Sequence, residues 1–257
     1  MASAPQSNQL PLFYNSLEPL SSEVHASYRF RPMDSAPFLV GQHAIPITVD
    51  EFTQVQRFMP IVFTADADPV PLALMGMNEG TNVFIGEDGR ASQDIYIPAY
   101  VRRYPFMLVR LQPDSEQLSL CFDPTSNTIG AFDDGEAIFE DGQPSTFTKN
   151  VLEFNDMFEQ ALMRTRNFMN DLKELELLMD GELSIQPDGA PQPFVYRGFQ
   201  MVNEEKLRDL RGDQLRKINQ NGLLPLLYAH LFSLSVTREI FGRQMAQGKA
   251  PAPQTAL

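Results

Sequence analysis

Residues 145–181 read STFTKNVLEFNDMFEQALMRTRNFMNDLKELELLMDG, and their apolar side chains recur at the spacing of one helix face. The steps between these positions alternate between three and four residues: Val151, Phe154, Phe158, Ala161, Thr165, Phe168, Leu172, Leu175 and Met179. This spacing predicts one long helix that packs by a single face. Ser145 or Thr146 can cap its start, and Asp180-Gly181 marks its end.

The apolar face of this helix needs a partner. Further helices are predicted at Glu204–Leu210, Asp213–Asn219 and Leu224–Met245, and we favour these as its cover. The heptad spacing also permits a homodimer through residues 146–179, and that alternative stays open.

Proline divides the rest of the chain. Fourteen of the twenty prolines lie at or before Pro144, and none lies between residues 145 and 186. Because proline interrupts helices and central strands, the chain before this point is predicted to consist of short strands and loops. The candidate strands are Ala26–Phe30, Ile45–Thr48, Ile61–Thr64, Pro71–Met77, Asn82–Ile85, Ile95–Ile97, Phe106–Leu111, Leu118–Phe122 and Ala137–Phe139. One short helix, Asp50–Phe58, interrupts them, and a hairpin with Asp188-Gly189 at its turn is predicted within Leu183–Val202.

These elements predict an α+β fold. A β-rich N-terminal part of short antiparallel strands packs with a C-terminal set of three or so helices, one of them long. We expect a single domain over residues 12–245, β-rich over 12–144 and mainly helical over 145–245. Residues 1–11 and 246–257 are expected to be disordered tails.

Composition excludes several classes of function. The 257-residue chain is 43% apolar and 21% charged, as in ordinary soluble globular proteins. Its net charge of −13 disfavours binding to nucleic acid or to an anionic lipid surface. One cysteine, Cys121, and three separated histidines leave no disulfide framework and no metal-ligand cluster, so we expect no cofactor and no metal.

Targeting signals are not apparent. The first basic residue is Arg29, so a conventional secretory signal is not predicted. The longest uncharged span, Ile218–Thr237, holds about 14 mostly apolar residues, fewer than the ~20 that a membrane helix requires. We therefore expect a cytoplasmic protein without a transmembrane segment, with export by an unconventional route left open.

Catalytic motifs are absent from the sequence. There is no G-x-S-x-G, no G-x-x-x-x-G-K-[ST] and no G-x-G-x-x-G, so no catalytic residue is assigned. Asp66-Ala67-Asp68 resembles a metal-holding DxD, but the proline that follows favours a solvated turn. An enzyme acting on a surface-destined peptide or carbohydrate stays an alternative. Its residues would come from the acidic turns and from His25, His43, Tyr96, Tyr100 and Arg102.

The segment from Tyr96 to Phe106, YIPAYVRRYPF, is the most distinctive of the chain. Arginine side chains match carboxylates or phosphates, and tyrosines provide rigid contact area. The segment therefore predicts a surface for a protein or peptide partner, formed by Tyr96, Tyr100, Arg102, Arg103 and Tyr104. The alternative is structural: the arginines pair with acidic residues within 123–141 and the tyrosines line the core.

The same segment resembles the bacterial SapC family. The resemblance also rests on Pro46-Ile47-Thr48 with Glu51-Phe52, Met59–Thr64, Leu72–Met77, Asn82–Ile85, Asp188-Gly189, Val202–Leu207 and His230–Leu234. It implies a protein linked to a bacterial surface layer or to uptake across the outer membrane, and it carries over no catalytic residue. Together with the missing motifs, it favours a non-enzymatic accessory protein that binds a partner.

Overall fold

The computed structural model describes residues 10–92, 94–112, 114, 117–187 and 192–249. Its strands are, in chain order, β1 Glu18–Pro19, β2 Arg29–Phe30, β3 Ala44–Pro46, β4 Ile61–Thr64, β5 Pro71–Leu74, β6 Phe106–Val109, β7 Ser119–Phe122, β8 Ile129–Gly130, β9 Glu136–Ala137, β10 Phe139–Glu140, β11 Gln143–Pro144, β12 Leu178–Asp180, β13 Leu183–Ile185, β14 Phe194–Tyr196 and β15 Phe199–Val202. Its α-helices are α1 Phe52–Val55, α2 Ala99–Arg102, α3 Thr146–Glu174, α4 Glu204–Arg208, α5 Gly212–Gln220, α6 Leu223–Ser233 and α7 Thr237–Ala246. The predicted α+β class is confirmed.

The chain divides into two compact units. The first unit comprises Met1–Asp34 and Tyr100–Gln160, and the second comprises Ser35–Ala99 and Ala161–Leu257. The single domain expected over residues 12–245 stays a prediction, because nothing in the structure tests it.

The first unit is built from small antiparallel sheets. Their strand orders are β1-β7-β6, β8-β2-β9 and β10-β11. The core between them is apolar and consists of Phe106, Leu120, Phe122, Ile129 and Ile138. Phe147, in the first turn of α3, stacks on Phe30 with ring centroids 4.8 Å apart, so the start of the long helix closes this core.

The second unit centres on a five-stranded antiparallel sheet of order β12-β15-β4-β5-β3. Its central strand β4 is buried from Ile61 to Phe63, and Ile61 lies opposite Ala73 of β5. Phe168 of α3 packs edge-on against Phe52, with centroids 5.5 Å apart. Strands β13 and β14 form the predicted hairpin, and its predicted Asp188-Gly189 turn lies outside the described residues.

The long helix is confirmed, but its predicted end at Met179 is wrong. Helix α3 ends at Glu174, and Met179 belongs to strand β12. Glu176 adopts a left-handed φ of 52°, and the Leu177 amide donates to the Leu172 carbonyl at 2.9 Å. This pattern ends a helix without glycine, which is why the apolar spacing alone overran the boundary.

Two predicted strands in the second unit are also wrong. Residues 82–85 and 95–97 form no strand, apart from a single bridge between Ile85 and Ala91. The Asn82 side-chain oxygen accepts the amides of Phe84 and Ile85, at 2.9 and 3.0 Å. These amides therefore do not serve a strand ladder, and the segment turns instead.

The C-terminal helix predicted over Leu224–Met245 is divided. A 3-10 turn at Leu234–Val236 separates α6 from α7. Gly222, with a left-handed φ of 78°, lies between α5 and α6 as the N-cap of α6. Within the ranges that the structure describes, no helix combines the length and the apolar character needed to cross a membrane.

Candidate functional site

The five residues predicted to form a binding surface differ in their exposure. Tyr100, Arg103 and Tyr104 of the first unit are buried, with 7%, 4% and 9% of their surface exposed. Arg102 is exposed on α2. Tyr96 belongs to the second unit, is half-buried, and donates its hydroxyl to a Glu51 carboxylate oxygen at 3.1 Å. The role of these residues as a binding surface stays a prediction. The structure shows what surrounds each of them.

Arg103 is enclosed by aromatic rings. Its guanidinium carbon lies 4.6 Å from the ring centre of Tyr100 and 4.4 Å from that of Phe158, within cation–π range. Its Nη1 lies 3.8 Å from a Glu159 carboxylate oxygen, an ion pair longer than a charge-assisted hydrogen bond. Its buried Nε has no hydrogen-bond partner among the described atoms. The site therefore holds a buried cation whose donors are not all satisfied.

The tyrosines of this cluster are held neutral. Burial raises the pKa of Tyr100, although the Arg103 charge opposes the rise, and burial raises the pKa of Tyr104 to about 12. The Tyr100 and Tyr14 hydroxyls donate to the backbone oxygens of Leu12 and Phe106, at 3.1 and 2.7 Å. These groups therefore serve packing and hydrogen bonding rather than proton abstraction at neutral pH.

A cavity of about 220 Å³ opens beside Arg103 within the first unit. Its rim carries the exposed side chains of Arg102 and Asn150. Its walls are the half-buried Phe147, Val151 and Phe154, and its floor is formed by the buried Arg103, Phe106 and Asn155. The Arg102 guanidinium lies 5.2 Å from the ring centre of Phe154. Two cations and two amides thus border an apolar recess.

Asn155, like Arg103, has an unsatisfied buried atom. It is 2% exposed, and its amide nitrogen donates to the Val151 carbonyl at 2.9 Å. Its side-chain oxygen has no partner among the described atoms. Buried polar groups are normally paired. Arg103 and Asn155 both line the cavity, so one unpaired donor and one unpaired acceptor, each covered by the protein, lie on residues next to it.

The side chains that line the cavity suit the binding of a ligand, and none of those described is a reactive group. The described residues that line it include no cysteine, histidine, serine or carboxylate. Arginine guanidinium groups recognise carboxylates, and phenylalanine walls accept apolar groups. The arrangement therefore favours recognition of an anion attached to an apolar group.

Neither histidine proposed for the enzyme alternative lines this cavity. In the first unit, His25 accepts the Ser21 amide at 3.1 Å and lies 2.9 Å from a Glu18 carboxylate oxygen. In the second unit, His43 is half-buried on the loop before β3, where its backbone oxygen accepts the Met75 amide at 2.7 Å. No group of three or more potential metal ligands occurs among the described residues. The enzyme alternative itself stays a prediction.

The DxD-like residues lie in the bend between β4 and β5, as expected of a solvated turn. Asp68 is fully exposed and pairs with Lys173 at 2.9 Å. Asp66 borders a second cavity of about 420 Å³, whose other charged residues are Lys173, Glu176 and Lys206. Each of these lysines donates to a backbone carbonyl of the second unit, so their role is structural.

Glu51 and His230, on which the family resemblance partly rests, form hydrogen bonds inside the second unit. Glu51 is 4% exposed, and its carboxylate accepts from Thr48, Tyr96 and Ala99. His230 accepts the Val202 amide at 3.1 Å, and burial lowers its pKa to about 4. These hydrogen bonds give both residues a structural role and do not indicate a catalytic one.

Several cavity residues were missed by reasoning from sequence. Asn150, Phe154 and Asn155 lie on α3, far along the chain from Arg102 and Arg103. Phe154 was assigned to the packing face, and the asparagines carried no motif. Asn155 lies four residues after Val151 and three before Phe158, and this spacing on the packing face was the available signal for it.

Comparison with known proteins identifies one family. The SapC family model matches residues 20–240, which is most of the chain. Neither the curated proteins nor the solved structures include a significant match.

Proposed function

Since the chain belongs to the SapC family, we propose that it is a non-enzymatic accessory protein of a bacterial cell-envelope system. In this proposal it acts by binding a protein or peptide partner, in surface-layer formation or in uptake across the outer membrane. No cofactor is required, and the location is cytoplasmic.

The observation that carries the binding role is the cavity beside Arg103. Arg102 and Asn150 at its rim are exposed, so a partner can reach them without unfolding the unit. The unsatisfied Nε of Arg103 and oxygen of Asn155 belong to residues that line the cavity; both atoms are covered by the protein, so a ligand reaches them when these side chains move. Because an unpaired buried polar group costs about 1–3 kcal/mol, a ligand that satisfies these atoms gains affinity from them.

Charge supports a partner with a local negative group. The chain as a whole has a net charge of −13, which repels polyanions at long range. The two arginines at the cavity therefore act over short distances, where a single carboxylate can contact them. A protein or peptide that presents one carboxylate satisfies both conditions, and a nucleic acid does not.

Affinity purification from the native host tests this proposal. Wild-type protein is compared with Arg102→Gln, and Arg110→Gln is the matched control because Arg110 is exposed in the same unit and does not border the cavity. Both variants remove one positive charge. We expect the partner to be lost with Arg102→Gln and retained with Arg110→Gln.

Equal recovery of the partner by the wild type and Arg102→Gln would reject the cavity as the binding site. Arg103 is not replaced in this experiment, because its side chain is buried in contact with three rings and its replacement would perturb the fold. Circular dichroism of each variant verifies that the fold is intact. The predicted homodimer through residues 146–179 is decided separately, by the mass of the protein in solution.

A further inference from the structure

We propose that the cavity beside Arg103 binds the C-terminal residue of a peptide, with its free carboxylate at the arginines and its apolar side chain against the phenylalanines. This inference rests on the proposed function, since it specifies the ligand of the same site. It follows from four properties of the cavity: charge, size, wall chemistry and unsatisfied polar atoms.

The charged side chains among the described residues that line the cavity are all positive. Arg102 and Arg103 both border it, and none of the described residues that line it is acidic. Glu159 neutralises Arg103 only partly, because the shortest nitrogen–oxygen distance of the pair is 3.8 Å. A carboxylate that enters would contact one exposed and one buried guanidinium, and the buried one acts in a low dielectric.

The cavity is small and apolar along its walls. Its volume of about 220 Å³ is below the ~300–1,000 Å³ of pockets that take drug-sized ligands, so it suits one side chain. Phe147, Val151 and Phe154 offer contact to an aliphatic or aromatic group. An internal aspartate or glutamate carries its carboxylate on a short stem and would leave these walls without contact.

Two unsatisfied atoms next to the cavity, both covered by the protein, select a chain terminus over a simple acid once their side chains turn toward the ligand. Arg103 Nε is a donor without an acceptor, and the Asn155 side-chain oxygen is an acceptor without a donor. A C-terminal residue presents both complements within one residue, since its carboxylate accepts and its own amide N–H donates. A fatty acid presents the carboxylate and the apolar chain but offers no donor to Asn155.

A matched set of small probes tests each of these features. N-acetyl-phenylalanine and N-acetyl-leucine carry all of them; N-acetyl-phenylalaninamide lacks the carboxylate, and 3-phenylpropionate lacks the amide N–H. Each is titrated into the full ¹⁵N-labelled chain, and the Arg103 Nε–H and the side-chain amides of Asn150 and Asn155 are followed by NMR. For ligands of this size we expect dissociation constants on the order of 1 mM for the two acetylated acids.

We expect the two acetylated acids to give saturable chemical-shift changes at these side chains. N-acetyl-phenylalaninamide and 3-phenylpropionate should each bind at least ~10-fold more weakly, which is the factor that one hydrogen bond to a charged or buried group represents. Arg102→Gln should weaken the acetylated acids by a similar factor, and Arg110→Gln should leave them unchanged. Equal binding of the acid and its amide would overturn the proposal, because the carboxylate would not be recognised. Equal binding of 3-phenylpropionate would overturn it in favour of a simple carboxylic acid.

Failure of this inference and failure of the proposed function give different results. If no probe shifts the three side chains at roughly ten times the expected dissociation constant, the terminal-residue assignment is wrong. Recovery of a partner from the native host that still depends on Arg102 would then leave the proposed function standing. If that recovery is independent of Arg102 while the acetylated acids bind, the cavity is a terminal-residue site that does not recruit this partner.

Discussion

Replacing Glu51 with alanine should destabilise the second unit more than any exposed acidic substitution. One Glu51 carboxylate oxygen accepts the backbone amide and hydroxyl of Thr48 at 2.8 and 2.9 Å. The other accepts the Tyr96 hydroxyl at 3.1 Å and the Ala99 amide at 2.6 Å. The Glu51 carboxylate thus connects Thr48, just before the first helical turn, to Tyr96 and to Ala99, the first residue of α2.

The expected magnitude follows from the donors left behind. Alanine removes all four bonds, and the amides of Thr48 and Ala99 are both buried backbone groups. At about 1–3 kcal/mol for each buried unsatisfied donor, these two amides alone represent roughly 2–6 kcal/mol. A loss near 4 kcal/mol is a large part of the ~5–15 kcal/mol by which a folded domain is stable.

The neighbouring acid provides the control. Asp50 is exposed and pairs with the equally exposed Arg164 at 2.6 Å, and such surface pairs contribute about 0–1 kcal/mol. Urea denaturation at 25 °C, followed by circular dichroism, compares the free energies of unfolding of Glu51→Ala, Asp50→Ala and wild type. A loss for Glu51→Ala no greater than that for Asp50→Ala would refute the role assigned to the buried carboxylate.

Two further predictions concern the second unit. Burial lowers the pKa of His230 from 6.5 to about 4, so the folded protein favours the neutral ring. The contribution of His230 to the free energy of unfolding is therefore complete above pH 6.5. It decreases by about 3 kcal/mol in all as the pH falls towards 4. His230→Gln keeps an acceptor but does not titrate, so its pH–stability profile should be flatter over this range, and parallel profiles would contradict the assignment. A Cβ on Gly76 would lie 1.9 Å from the Thr81 backbone oxygen, whereas one on Gly242 of α7 meets nothing within 4 Å. Gly76→Ala should therefore lower the melting temperature, and Gly242→Ala should raise stability by about 0.5–1 kcal/mol. A gain in stability for Gly76→Ala as well would show that the close approach to Thr81 is not maintained.

The residues on which the resemblance to the family rests have two kinds of role in this protein. Glu51 and His230 satisfy backbone amides inside the second unit. Arg102 and Arg103 border a cavity in the first unit, where a free donor and a free acceptor remain. The first role explains why those residue types are needed for folding, and the second is the one that can provide recognition.

How far the site could be predicted depended on the residue. The sequence singled out Arg102 and Arg103 because arginine pairs beside tyrosines are unusual in so acidic a chain. It could not distinguish their exposures, because α2 has only four residues and ends at Arg102, which is too short for apolar spacing to define a buried face. Asn155 was missed because only the surrounding core shows that its amide is buried.

By itself, the sequence determined the α+β class, the long helix and the β13–β14 hairpin, since these depend on local apolar spacing, proline placement and turn residues. Tertiary structure alone decided where α3 ends, that residues 82–85 turn instead of pairing, and that Arg103 is enclosed. It also brought residues 102–106 to residues 147–155 to form the cavity. The physical reason is that burial and hydrogen-bond satisfaction depend on contacts between distant parts of the chain, which local patterns do not contain.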